Sequence, residues 1–305
     1  MGCGRRASRI ALTLLVVGLG PSSRAAAQID LSGEWRPLFH EDVGHRIDDP
    51  NAGGPGTPAG AGGPRIGDYT GLPINDAGRL KADSWDPRIN EATEHQTIIH
   101  PGAYWIWGAG GMRFRNIIDE DTQAVVAIEI FRAAPPGANT RIIWMDGRPA
   151  PPSFAAHTWW GFSTGEWNGA VLTVRTTHMK AGWIRRNGVP ASDQATMIEY
   201  FARHGSYLTL TRILDDPVYL EEPLITTLTW ILDPNQQLVA RRPDIVSFPD
   251  QPAVFVPHYL FGANPFLHEL ADKYRIPFDA TRGGSETTYP EYARKLAARS
   301  KTGTR

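Results

Sequence analysis

The sequence predicts a mainly β protein, an antiparallel meander that closes into a barrel or a strongly curved sheet, lipocalin-like in outline, with short helices near the C-terminus. Three observations lead there. Between residues 97 and 232, short runs rich in branched and aromatic residues follow one another, among them "MRFRNII", "TQAVVAIEIF", "RIIWMD" and "LITTLTWIL". Turn-forming strings such as "DED", "APPGANT" and "DPNQQ" separate them. Helix-length apolar periodicity is missing from the same stretch, so successive strands joined by tight turns must curl to bury one face.

The N-terminus has a different logic. Arg5, Arg6 and Arg9 make a basic start, "IALTLLVVGLG" is a short apolar run, and "AAAQ" puts small residues before a predicted cut between Ala27 and Gln28. This pattern predicts export to the periplasm or the medium, and the adjacent Arg5 and Arg6 fit a twin-arginine route. The apolar run is too short to span a bilayer comfortably, so no membrane span is expected. Cys3 is the only cysteine and sits in the segment expected to be removed, which leaves the mature chain without disulfide or thiol chemistry.

Along the remaining chain, "IDLSGEW" reads as a first strand, and the Gly/Pro/Ala string "NAGGPGTPAGAGGP" as a mobile loop. "NDAGRLKADSW" predicts a short helix capped by Asn75 or Asp76. "TMIEYFARHGSYLTLTRIL" reads as two strands joined near His204 and Gly205. Two helices close the chain: "NPFLHELADKY", with Asn264 as cap and Pro265 at the first position, and "YPEYARKLAARS". The division that follows is a removed signal (1–27), a strand and loop region (28–96), a β core (97–232) and a C-terminal extension (233–305).

With 31 basic and 32 acidic residues, the net charge of −1 offers no general attraction to nucleic acid or an anionic membrane. A small molecule is the expected partner. No H-x-H, H-E-x-x-H or calcium-loop pattern occurs, and "HPGAYWIWGAGG" lacks a complete G-x-G-x-x-G, so neither a metal nor a nucleotide cofactor is expected. His95 and His100 are five apart, which places them on opposite faces of a strand.

"HTWWGFSTGEWNG", residues 157–169, holds the densest chemistry. Its G-F-S-T-G matches the nucleophile turn of α/β hydrolases, but "AVLTVRTTHM" follows as a strand, where that turn must enter a helix. A hairpin turning at Asn168 and Gly169 is the better reading. Pairing Trp167 with Ala170 then sets Gly165 against Leu172, Ser163 against Val174 and Gly161 against Thr176. The same register carries Trp159 to His178 and His157 to Lys180. One face would therefore combine small residues with flanking tryptophans, the makings of a pocket wall. The alternative is that the glycines permit a bulge or barrel bend and the tryptophans fill core.

On that face His157 and His178 are candidates for an acid and base pair. Trp159 and Trp167 supply apolar walls, and Lys180 a cation. Arg148, after the turn at Asp146 and Gly147, is placed to hold a ligand carboxylate. Arg185 lies in the basic connection "KAGWIRRNGVPASDQ", and Glu199 alternates with Met197 and Phe201 as a candidate pocket carboxylate.

The strings "GDYTGLPINDAGRLKADSW", "RIIWMDGRPAPPSFAAHTWWGFSTGEWNGAVLTVRTTHMKAGWIRRNG" and "DDPVYLEEP" lie within residues 67–225. In them the chain resembles a family of exported bacterial proteins of uncharacterised activity. That resemblance implies secretion and brings no catalytic residues. "DLSGEW" followed by a meander also resembles the start of lipocalin-type barrels. Three functional readings follow: a periplasmic or secreted binder of a small, partly apolar ligand; a proton-transfer enzyme (isomerase, dehydratase or lyase) using the same pocket; and a carbohydrate-binding or surface interaction protein with tryptophans as platforms.

Overall fold

The computed structural model describes residues 29–38, 67–85, 101–104, 111–133, 138–185, 187–238 and 259–302. The expected signal segment, the Gly/Pro/Ala string, His95 and His100 lie outside the described residues. Nine strands close into a barrel: β1 (Gly33–Leu38), β2 (Met112–Ile118), β3 (Val125–Ala133), β4 (Ala138–Trp144), β5 (Phe162–Asn168), β6 (Val171–Thr177), β9 (Thr196–His204), β10 (Tyr207–Asp215) and β11 (Leu224–Leu232). Two further strands, β7 (Gly182–Trp183) and β8 (Pro190–Ala191), form a small separate hairpin between β6 and β9.

The barrel is the predicted one, with the predicted runs as its strands. β9 and β10 turn at Gly205, whose φ of +60° needs no Cβ to accommodate. Closure comes from β1, which pairs with β11 through Trp35 and Leu232 on one side and with β2 through Gly33 and Phe114 on the other. A meander alone predicts antiparallel neighbours throughout, and one pair departs from that. β4 and β5 run parallel and share only two register pairs, Ile143 with Ser163 and Trp144 with Thr164. The chain between them is long enough to reverse direction before re-entering the wall, so this seam is the least paired part of the barrel.

The predicted first helix forms as α1 (Asp76–Asp83), capped by Asn75, whose side chain accepts from the Gly78 amide at 2.9 Å. The C-terminal helices form as α2 (Glu269–Tyr274) and α3 (Pro290–Thr302). α2 starts later than the Asn264 and Pro265 signal predicts. Asn264 still accepts from the Phe266 amide at 3.0 Å through its side-chain oxygen, as a cap does, while its side-chain amide donates to the Asp83 and Trp85 carbonyls at 2.7 and 3.0 Å and fastens the C-terminal segment to α1. Arg282 bonds Asp83 in the same joint, and Tyr69 donates to the other Asp83 oxygen at 2.8 Å.

Strand alternation sorts the interior into two apolar clusters. One holds Trp35, Phe114, Ile130, Ile143, Leu172, Phe201, Leu210 and Trp230. The other, beneath α1 and the β7–β8 hairpin, holds Tyr69, Leu72, Ile74, Met197, Leu214 and Leu224. Between them the inward position on strand after strand is polar and buried: Arg132, Arg141, Ser163, Thr176, Glu199, Arg212 and Thr226. On β10, for example, Leu208 and Leu210 belong to the first cluster, Arg212 follows, and Leu214 belongs to the second.

Asn75 also donates to the Val218 carbonyl at 2.9 Å, which ties α1 to the β10–β11 connection. Asn75→Ala is therefore expected to cost about 1–2 kcal/mol, read as a lower urea midpoint with an unchanged slope.

Candidate ligand cleft above a buried charged belt

The β5–β6 hairpin forms two residues out of the predicted register. Asn168 stays extended and pairs with Val171, so the turn falls on Gly169 and Ala170. Only Gly169 has positive φ (+59°), the sign pattern of a type II′ turn, whereas a turn at Asn168 and Gly169 of type I′ would need both residues there. Ser163 consequently faces Thr176, Gly165 faces Val174 and Trp167 faces Leu172. A shift of two keeps every residue on its side of the sheet, and the predicted face is the one that looks into the barrel.

That regular pairing ends at Phe162 and Thr177. Gly161 (φ +69°) and His178 (φ +57°) both turn into the left-handed region, so alternation does not carry through to residue 157. Thr158 holds the bend. Its hydroxyl donates to the Gly161 carbonyl at 3.0 Å, its amide to the His178 carbonyl at 3.0 Å, and its own carbonyl accepts from the Lys180 amide at 2.8 Å. The two histidines meet through this crossing of bends, with ring centroids 5.1 Å apart and planes at 62°.

Carbonyl partners set their tautomers, because a carbonyl only accepts. His178 Nε2 donates to the Pro152 carbonyl at 3.0 Å, leaving Nδ1 to accept from the Thr177 hydroxyl at 2.8 Å. His157 Nδ1 donates to the Met179 carbonyl at 2.9 Å. Its Nε2 meets no partner among the described residues.

Beside this bend, where β4 and β5 splay apart, lies a cleft of about 360 Å³. Thr140, Arg141, Ile142 and Trp144 line one side, and Thr158, Trp159, Trp160, Gly161, Phe162 and Ser163 the other. The volume suits a small molecule. Lys180 Nζ lies 5.1 Å from the Trp159 ring centroid, and the Arg148 guanidinium 3.5 Å from that of Trp144.

The glycines do not leave the void that their missing side chains suggest. A Cβ on Gly165 would meet Met145 Sδ at 2.6 Å and Ile143 Cγ2 at 2.8 Å; one on Gly161 would meet the Thr177 carbonyl oxygen at 2.3 Å. They allow close approach of neighbours, and the cleft opens on the β4 side of the strand.

Of the sequence candidates, Trp159 lines the cleft and Lys180 covers its ring. His157 and His178 stand together next to it, half-buried and outside its lining. Trp167 is at the far end of β5, packed against the first apolar cluster. Arg148 already holds a carboxylate of its own chain: Nε donates to Asp146 Oδ1 and Oδ2 at 2.9 and 3.0 Å. That hydrogen bonding holds the Asp146 carboxyl below its usual range. Arg185 belongs to the β7–β8 hairpin and is not among the cleft residues.

Glu199 is fully buried behind the cleft, in the charged belt. Arg141 donates to one of its oxygens, and Arg212 Nε to the other at 3.0 Å. Arg141 Nε also donates to Ser163 Oγ at 3.1 Å and its Nη2 to Thr176 Oγ1 at 2.7 Å. Arg141 and Ser163 thus belong both to the belt and to the cleft lining. Burial pushes the Glu199 carboxyl up, but the two guanidiniums outweigh it and hold the carboxyl below the ordinary glutamate value. The arginines escaped the sequence reading, although Arg132 and Arg212 interrupt the inward half of clean alternations, "IEIFR" and "LTLTRIL". Ser163, the serine of the hydrolase-like string, is 2% exposed in mid-strand and bonded to Arg141 and Thr176.

No family model, curated protein or solved structure matches the chain. The functional reading therefore stands on the cleft and the belt themselves.

Glu199→Gln removes the counter-charge of two buried guanidiniums and is expected to cost about 3–5 kcal/mol at neutral pH. Because the folded carboxyl sits below its unfolded value, its stabilisation is present above about pH 4.3 and is lost as pH falls through the folded value. Urea titrations across that range should show the gap between parent and variant closing on acidification. Gly161→Ala, forced into a left-handed φ against the Thr177 carbonyl, should lose about 1–3 kcal/mol and alter tryptophan fluorescence from the cleft.

Proposed function

We propose that this is an exported binding protein for a small, partly apolar ligand held in the tryptophan-walled cleft. The observation that carries the reading is the opening between β4 and β5, where Trp144, Trp159 and Trp160 line the cleft together with the polar Thr140, Arg141, Thr158 and Ser163. Export rests on the basic start, apolar run and small residues before Gln28, and on the resemblance to exported bacterial proteins. Trp159 and Trp160 are half-buried in a cleft wall, which favours enclosure of a ligand over an open stacking platform for carbohydrate or a partner surface.

A second reading, proton transfer on the bound molecule, is favoured by one observation: His157, next in the chain to the cleft residue Thr158, has no partner for Nε2 among the described residues and stands in ring contact with His178. In this version His157 takes a proton at Nε2 while its Nδ1 stays fixed by the Met179 carbonyl. If the parent converts a bound compound and folded His157→Ala and His178→Ala variants bind it unchanged without converting it, the enzyme reading holds. Equal conversion would remove both histidines from the chemistry.

The binding function is tested by native mass spectrometry of protein exported with its own N-terminal segment and purified gently, followed by screening of small aromatic compounds against tryptophan fluorescence. A compound bound by the parent should bind Trp159→Ala at least about tenfold more weakly, the loss of one aromatic wall. Unchanged affinity in that variant would place the ligand elsewhere and sink the proposal.

A further inference from the structure

We infer that the cleft takes its ligand as an extended peptide, a short strand laid against the open edge of β4 at Thr140 and Ile142. This rests on the binding reading above and names the chemical class of the ligand.

Backbone parity identifies the open groups. In a strand the N–H and C=O of one residue point to the same neighbouring strand, and those of the next residue to the other. The Met145 amide donates to the Val126 carbonyl at 2.9 Å on the β3 side, in the register that sets Trp144 against Ala127. Ile143 and Arg141 therefore turn their backbone groups to β3, while Trp144, Ile142 and Thr140 turn theirs to the seam. The pairs of Ile143 with Ser163 and Trp144 with Thr164 use the Ile142 carbonyl and both Trp144 groups. The Ile142 amide and the amide and carbonyl of Thr140 are left over, with no hydrogen bond to any of them among the described residues.

The cause lies across the cleft. Gly161 is the residue whose carbonyl would extend the ladder to the Ile142 amide. Instead that carbonyl accepts from the Thr158 hydroxyl at 3.0 Å, and the Gly161 amide donates to the Thr158 carbonyl at 3.2 Å. This wall is closed on itself, and the β4 edge opposite is not.

Thr140, Arg141 and Ile142 line the cleft, so the edge opens into it, and Thr140 is exposed with Ile142 only half-buried. Along β4 the edge offers a donor, an acceptor and a second donor. In an antiparallel peptide strand, one residue answers Thr140 with both its carbonyl and its amide, and the carbonyl two residues earlier answers Ile142. Main-chain bonds of this kind supply affinity, and neighbouring pockets select the side chains. Trp144, Trp159 and Trp160 in the same cleft give an apolar or aromatic side chain its walls. A purely apolar molecule would fill those walls and leave the three backbone groups unmet, whereas a peptide satisfies both.

The test uses N-acetylated tripeptide amides with valine at both ends and phenylalanine, tyrosine or leucine at the centre, titrated by tryptophan fluorescence and calorimetry. Each backbone amide of the tightest binder is then N-methylated in turn. Because alternate amides face the edge, methylation should weaken binding about tenfold or more at facing positions and less than about threefold at the others. Amide exchange followed by NMR reads the protein's side of the contact. In the free protein the Thr140 and Ile142 amides should exchange fast beside slow Arg141 and Ile143, and saturating peptide should slow both at least about tenfold. Peptide binding that tolerates methylation everywhere, or that leaves the Thr140 and Ile142 amides unprotected, overturns the inference. Slow exchange of both amides in the free protein shows an edge already covered, which also overturns it. If the peptides do not bind but the small aromatic compounds do, and Trp159→Ala weakens them, the inference falls and the cleft reading stands. Binding of neither peptides nor aromatic compounds overturns both together.

Discussion

The Glu199 carboxylate, shared between Arg141 and Arg212, is the interaction on which the barrel's interior is organised. It takes one residue from each of β4, β9 and β10 and joins them through side chains across the middle of the molecule. Desolvating such groups is expensive, and hydrophobic replacements of equal volume are often no worse for stability. A barrel built for stability alone would continue its leucine and isoleucine layers through this level. This one sets a polar belt between the two apolar clusters, and losing Glu199 would leave both guanidiniums without their counter-charge.

The belt also compensates for the weakest part of the wall. β4 and β5 meet in parallel over two register pairs, so backbone bonds do little to hold them. Arg141 reaches from β4 to Ser163 on β5 and Thr176 on β6, stitching the seam from the inside. The outside of the same seam stays open as the cleft. One side chain thereby couples wall, interior and cleft, which is why a cavity can sit here without opening the barrel further.

The bend from Thr158 to Gly161 sets the other wall. Left-handed backbone at Gly161 and His178 ends the β5–β6 ladder, swings the tryptophans out of the strand pattern and crosses two loops so that the histidine rings touch. A non-glycine residue in that conformation costs energy and is kept by its surroundings, here the Thr177 hydroxyl and the Pro152 carbonyl on either ring nitrogen.

The amino-acid sequence by itself determined what depends on near neighbours. Period-two alternation with branched residues placed the strands, the Asn75 cap and its helix formed where local hydrogen bonding favours them, and the parity of "FSTGEW" against "LTVRTT" survived a two-residue error in register because parity is all that burial enforces. Glu199 was readable as a candidate pocket carboxylate from its alternation with Met197 and Phe201. What only the tertiary structure decided involves residues far apart in the chain. The parallel seam, the occupation of the glycine gaps by Met145 and Ile143, the pairing of Arg148 with its own Asp146, and the convergence of Arg141, Ser163, Thr176, Glu199 and Arg212 all depend on which strands the closed barrel makes neighbours. A sequence window of a dozen residues carries periodicity and caps, but a charge buried by a strand more than fifty residues away leaves its mark only as an arginine where a leucine was due.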